Sequence, residues 1–115
     1  MKGKLIVSMM AMIFVLVTAG IGVAEGPDGN DRKGKYTYRS VYKACAKRGE
    51  VDSRTPIISP SDKTMAQWKR LFEKKEFEDF KCQQEWNNLS DEDILDIYTY
   101  LYKHAADSPT PAKCK

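Results

Sequence analysis

The stretch "KGKYTYRSVYKACAKRG" (residues 33–49) carries the sequence pattern that identifies the first helix of the domain. Four of its residues follow the i, i+3, i+4, i+7 spacing with which a helix buries one face: Tyr38, Val41, Tyr42 and Cys45. Gly49 can take the left-handed backbone conformation that ends a helix. The stretch therefore predicts a first helix from about Lys33 to Arg48.

A second strong helix signal closes the domain, in "LSDEDILDIYTYLYK" (residues 89–103). Ser90 and Asp93 form a capping box, and Asp91 and Glu92 place negative charge at the positive end of the helix dipole. A wide apolar stripe follows: Ile94, Leu95, Ile97, Tyr98, Leu101 and Tyr102. We expect this helix to end around residues 104–106.

The chain between these helices holds weaker signals. Residues 50–60 contain Pro56 and Pro60 and are predicted to form a loop. A helix capped by Ser61 or Asp62 should follow, with inward positions at Met65, Trp68, Leu71 and Phe72. Residues 74–86 are predicted to be a short helix or an irregular loop. With no competing strand pattern, the fold class is all-α, with three to five helices around a modest core.

The two ends of the chain differ from the domain in composition. Lys2 and Lys4 precede an apolar run over 5–17, and small residues lead to Ala24, which indicates a secretory signal peptide over 1–24. An uncleaved membrane anchor is the alternative. Residues 25–32 are predicted to be a disordered lead-in, 33–106 the domain, and 107–115 a flexible tail containing Cys114.

Charge and cysteine content narrow the function. Without the leader, 17 basic residues face 16 acidic ones, a formal charge of +1, so the chain lacks the basic excess of a nucleic-acid binder. An exported chain would be in an oxidising compartment, where its three cysteines would allow one disulfide and leave one thiol. Spacing alone leaves all three pairings open. After cleavage we expect no contact with a membrane.

The residues offer no support for catalysis. His104 is the only histidine, and its place near the end of the last helix favours a capping or surface role. No cysteine belongs to a C-x-x-C pair, so a thiol-disulfide enzyme is disfavoured. We therefore expect a protein that is not an enzyme.

The order of these features resembles that of small class I c-type cytochromes over about residues 33–104. Gly34, Tyr38 and Tyr42 keep that family's spacing of a glycine, an aromatic residue and the first haem-binding cysteine. Cys45 then matches the second cysteine and Ala46 the axial histidine. The resemblance implies a domain in which the first and last helices cross at Gly34.

The departures from the family motif remove its haem chemistry. A c-type haem needs thioether bonds and an axial imidazole. Tyr42 cannot form a thioether, Ala46 has no lone pair for iron, and residues 77–86 contain no Met for the distal side. Met65 lies at helical spacing with core residues and is predicted to be core. We therefore expect no cofactor, with the pocket filled by Tyr42, Ala46, Trp68, Phe72, Phe77, Phe80 and Trp86.

The resemblance also implies a disulfide and a function. In the family fold the motif helix faces the distal loop, which would pair Cys45 with Cys82; a free buried thiol at Cys45 is the alternative. The predicted function is an exported, haem-free binding or accessory module with a protein partner in a periplasmic or extracellular electron-transfer system. The alternative is a monohaem electron carrier with a single thioether at Cys45 and unusual axial ligation.

Overall fold

A computed structural model describes residues 26–112, and within that range every regular element is helical. The predicted signal peptide and Cys114 lie outside the described residues. The four α-helices are α1 (Asp31–Arg48), α2 (Met65–Glu73), α3 (Gln83–Asn87) and α4 (Asp91–Lys103). Short 3-10 turns occupy Pro60–Asp62 and Glu78–Phe80. The prediction of an all-α fold is confirmed for this part of the chain.

The first and last helices pack directly against each other, as predicted, and Gly34 is the point of closest approach. A Cβ atom at this position would collide with the main-chain carbonyl of Asp96 and crowd the amide nitrogen of Ile97. Any larger residue would therefore force the two helices apart. Glycine is required here for lack of space, and its own backbone conformation is helical.

Helix α1 begins at Asp31, two residues before the predicted start, because Asn30 caps it. The Asn30 side chain accepts a hydrogen bond from the Lys33 amide at 3.0 Å. The Gly29 and Asn30 amides donate to the side chains of Thr99 and Asp96, both at 2.8 Å. The end of the predicted disordered lead-in is thus docked on α4, whose buried polar side chains need these donors.

Helix α2 begins later than predicted. Its cap is Thr64, which forms a capping box with Gln67, so the predicted cap at Ser61 or Asp62 was wrong. Asp62 instead accepts a hydrogen bond from the Ser59 amide at 2.8 Å and stabilises the preceding 3-10 turn. Two capping signals in succession separate the 3-10 turn from the helix.

The described part of the predicted flexible tail folds back on the domain. Asp107 accepts a hydrogen bond from the Met65 amide at 2.8 Å and so satisfies a free donor at the start of α2. The Ala112 amide donates to the His104 carbonyl at 2.9 Å. His104 is the C-cap residue of α4, consistent with its predicted capping role.

Other local predictions hold. Gly49 ends α1 in the left-handed conformation with φ 94°, and Ser90 and Asp93 form the predicted capping box of α4. The chain over residues 74–86, predicted as a short helix or an irregular loop, forms the second 3-10 turn and most of the five-residue α3. Among the described residues, no helix is both long enough and apolar enough to cross a membrane.

Candidate functional site at the Cys45–Cys82 bridge

A disulfide joins Cys45, in the last turn of α1, to Cys82, immediately before α3. The two Cα atoms are 5.7 Å apart, and both residues are fully buried. The predicted pairing is confirmed. Because the bridge spans 37 residues, it constrains the unfolded chain and stabilises the fold by about 4 kcal/mol in the chain-entropy account.

Three charged side chains cover the bridge on its outer side. The Arg48 guanidinium donates to Glu85 at 2.7 and 2.9 Å and to Glu50 at 2.7 Å. Glu50 also accepts a hydrogen bond from the Cys82 amide at 2.9 Å. Hydrogen bonds from Arg48 lower the pKa of both Glu50 and Glu85, which holds the two carboxylates in their charged form.

Tyr42 lies beside the bridge in the centre of the core. It is fully buried, and its hydroxyl donates to the Phe80 carbonyl at 2.7 Å. Burial raises the pKa of Tyr42 well above the usual tyrosine range. The residue therefore serves as a neutral, hydrogen-bonded filler of the interior.

The other predicted filling residues form one aromatic cluster around Phe80. The Phe80 ring stacks on Trp86 at 4.5 Å and lies parallel to Trp68 at 6.1 Å between centroids. Phe72 contacts Phe77 edge-on at 5.3 Å. Trp68 also donates its indole N–H to the Pro60 carbonyl at 2.8 Å. These contacts fill the space between α1, α2 and α3 with ring atoms.

Exposure differs among the predicted site residues. Besides the two bridged cysteines, five are buried: Tyr42, Trp68, Phe72, Phe80 and Trp86. Phe77 is half-buried against the core, and Ala46 is half-buried on α1. Met65 is also half-buried. It packs against the core without being enclosed in it, so its prediction as a core residue is confirmed only in part.

The site has little capacity to bind a metal in this state. Within residues 26–112, one group of three candidate ligands comes together: Cys45, Glu50 and Cys82, with ligand atoms inside 4.8 Å of one another. The two sulfurs are bonded to each other, and both Glu50 oxygens accept hydrogen bonds. Thiolates are the form of cysteine that binds metals, so the bridge removes the two strongest ligands.

Sequence reasoning missed the charged cover of the bridge. Arg48 and Glu50 flank Gly49, and their closeness follows from the left-handed turn predicted there. Glu85 lies 37 residues from Arg48 in the chain. No local pattern connects the two, because their contact exists only once Cys45 and Cys82 are side by side.

No protein-family model, curated protein or solved structure matches the chain. The functional interpretation therefore depends on the contacts and chemistry of the chain's own residues.

Proposed function

We propose that this chain is an exported cytochrome c-like module without covalent haem, acting as a non-catalytic binding or accessory subunit of an electron-transfer system. The observation that carries the proposal is the Cys45–Cys82 disulfide. Cys45 is the one thiol left at the positions resembling a haem-attachment motif, and its sulfur is bonded to Cys82.

The neighbouring motif positions support the same conclusion. Covalent haem requires thioethers and an axial imidazole on one helix face. Tyr42 has its ring buried and its hydroxyl bonded to Phe80, while Ala46 presents a methyl group. The residues at these positions therefore do not fit a haem, and buried aromatic side chains pack beside them.

Two further observations support the cytochrome-like part of the proposal. Gly34 lies at the crossing of the first and last helices, which is the arrangement that the resemblance implies. The disulfide is consistent with an oxidising, exported compartment. That the partner belongs to an electron-transfer system follows from the resemblance alone.

The monohaem alternative requires the same sulfur. A thioether at Cys45 and a disulfide from Cys45 to Cys82 exclude each other, because one sulfur cannot form both bonds. No contact within residues 26–112 favours the carrier, so the haem-free module is the better supported function.

The test is to export the full chain in cells that also express the c-type cytochrome maturation machinery. We expect a colourless product without a Soret band, in which non-reducing peptide mapping links Cys45 to Cys82. A working cytochrome expressed in parallel shows that maturation is active. A haem mass adduct on Cys45 would overturn the proposal.

The partner is tested separately, by cross-linking in the source cells followed by identification of the captured protein. Capture of a haem, flavin or iron–sulfur protein, repeated with that protein purified, supports the electron-transfer role. A purified complex with a protein that carries no redox centre would overturn that role while leaving the haem-free module intact.

A further inference from the structure

A groove of about 570 Å³ lies along the N-terminal half of α1, and Tyr38, the lining residue nearest in sequence to Cys45 on the buried face of the helix, is two turns away from it. The first half of α1 forms one wall, the loop over residues 55–60 forms another, and the end of α4 closes the third side. Its size falls within the range of pockets that bind small molecules. None of the residues of the disulfide site lines it.

Three cations on the α1 wall face this groove: Arg32, Lys35 and Arg39. Their spacing of three and four residues places them on one face of the helix. All three side chains are exposed, and none takes part in an ion pair within residues 26–112. Their neighbours Asp31 and Lys33 are instead paired with side chains of α4. The three cations are therefore available to an anion.

One acidic residue lines the same groove, and it is already engaged. Asp31 lies 3.7 Å from the Lys103 ammonium and 3.8 Å from the His104 ring. It therefore offsets charge on α4 and leaves the three α1 cations uncompensated. Helix α1 as a whole contains seven basic residues and one acidic residue, a formal charge of +6.

The rest of the lining combines apolar and aromatic residues with the polar Thr55, Ser59 and His104. Tyr38 and Ile58 form its inner side, held together by a 2.6 Å hydrogen bond from the Tyr38 hydroxyl to the Ile58 carbonyl. Tyr100 is half-buried, and Arg39 is close enough to oppose the burial that raises the pKa of Tyr100. Pro56 adds a rigid apolar face. Pro56, Ile58 and Tyr100 are half-buried and keep some exposed surface, so a flat apolar body can pack on them while an acidic group reaches α1.

We propose that this groove binds a small organic anion: a carboxylate, sulfonate or phosphate attached to a flat apolar body. The cations supply charge-assisted hydrogen bonds, which are about twice as strong as neutral ones. The apolar side supplies contact area that a free inorganic anion cannot use. The proposal does not depend on the haem-free module, because the two surfaces share no residue.

The experiment uses the full chain with its disulfide intact and 2-naphthalenesulfonate as the probe. Calorimetry measures the dissociation constant, and amide NMR shifts locate the site. We expect saturable one-to-one binding with shifts centred on Arg39, Ile58 and Tyr100. Inorganic sulfate and neutral 2-naphthol should each bind at least about tenfold more weakly, since each lacks one half of the interaction.

A pair of double variants tests the role of the cations. Lys35→Gln with Arg39→Gln should weaken binding of the sulfonate by about tenfold or more, since charged hydrogen bonds are lost. Lys43→Gln with Lys47→Gln removes the same charge from the exposed part of α1 outside the groove and should change binding less than about twofold. Both variants keep the buried face of α1, so folding is preserved.

Several outcomes would overturn the proposal. These are the absence of saturable binding, shifts centred elsewhere, equal effects of the two double variants, or equal affinity for 2-naphthol. Tighter binding of an acidic hexapeptide than of the sulfonate would show that the groove docks an extended chain, which also contradicts a small-molecule site.

Discussion

The two ends of helix α1 differ in whether their charged side chains are paired and whether a cavity lies beside them. At the C-terminal end, Cys45 is bonded to Cys82, and Arg48 is held by two carboxylates. Toward the N-terminal end, Arg32 and Arg39 border an open groove with no ion-pair partner in the described range. The cation at the C-terminal end is paired within the chain, whereas these cations of the N-terminal half are exposed beside the groove.

This difference separates stability from binding. Interactions completed inside the fold contribute to the free energy of unfolding. Unpaired cations such as Lys35 and Arg39, at i, i+4 on one helix, repel each other and lower the stability by only about 0.2 to 0.5 kcal/mol. We therefore expect substitutions at the C-terminal end of α1 to change stability. Substitutions of the groove cations in the N-terminal half should change ligand binding with little effect on stability.

The largest effect should come from removing the disulfide. Replacing both Cys45 and Cys82 with alanine should lower the free energy of unfolding by about 4 kcal/mol, because the unfolded chain gains loop entropy. Urea unfolding without reductant measures this value. Cys114→Ser, outside the described residues, is the matched control and should leave stability unchanged. A loss below about 1 kcal/mol in the double variant would contradict the assigned role of the bridge.

Gly34→Ala should be next in size. The added methyl group meets the Asp96 carbonyl, so α1 and α4 must separate at a cost of about 2 kcal/mol or more. Gly49→Ala is the matched comparison: its added methyl meets no atom within 4 Å, but φ is 94°, which costs about 1 kcal/mol. Thermal or urea unfolding ranks the two. A smaller loss at Gly34 than at Gly49 would show that the helices can separate easily.

Tyr42→Phe should destabilise the fold by about 1 to 2 kcal/mol, because the Phe80 carbonyl loses its buried donor. Tyr36→Phe, on an exposed side chain, is the control and should have no measurable effect. Calorimetry of both variants at neutral pH makes the comparison. Equal stability of the two variants would mean that the Phe80 carbonyl finds another partner.

The raised pKa of Tyr42 also leads to a prediction of how stability changes at alkaline pH. Because burial raises the pKa of Tyr42 and Tyr38, their contribution to stability is complete below the unfolded value of about 10 and is lost as the pH rises above it. Unfolding midpoints measured from pH 8 to 12 should fall above pH 10, less steeply in Tyr42→Phe. Parallel slopes for the two proteins would contradict this assignment.

Arg48→Gln should have the smallest effect on stability, and this effect should depend on pH in the acidic range. Glu50 and Glu85 have lowered pKa values, so their contribution is present above the unfolded value of about 4.3 and is lost as the pH falls through the lowered values. Carboxyl NMR titration should show both values rising in the variant. Arg54→Gln, at an exposed loop position, should leave both unchanged. A variant with unchanged titrations would remove Arg48 as the cause.

Local signals in the sequence predicted most of the helices. The end of α1 at Gly49 and the capping box of Ser90 with Asp93 depend on residues within one turn of each other, which a pattern can show. The Cys45–Cys82 pair needed more, since spacing left three pairings open and only the resemblance selected one.

The features that were missed depend on contacts between distant residues. Asp107 caps α2 from 42 positions away, and Glu85 reaches Arg48 from 37 positions away. The groove likewise needs the loop at residues 55–60 to meet the end of α4. The basic spacing on α1 was visible in the sequence, but whether it faced water or a cavity depended on the tertiary fold.

The crossing of α1 and α4 also determines how much of the chain must be present before the domain can close. The Asn30 amide bonds to Asp96, 66 residues later, and Gly34 contacts the same turn of α4. Until α4 is present, the surface of α1 around Gly34 lacks its packing partner, although Tyr42 and Cys45 already have partners at Phe80 and Cys82. Forming contacts of such long range first costs the entropy of closing a long loop. The part of α1 around Gly34 can therefore reach its final packing only after α4 has been added to the chain.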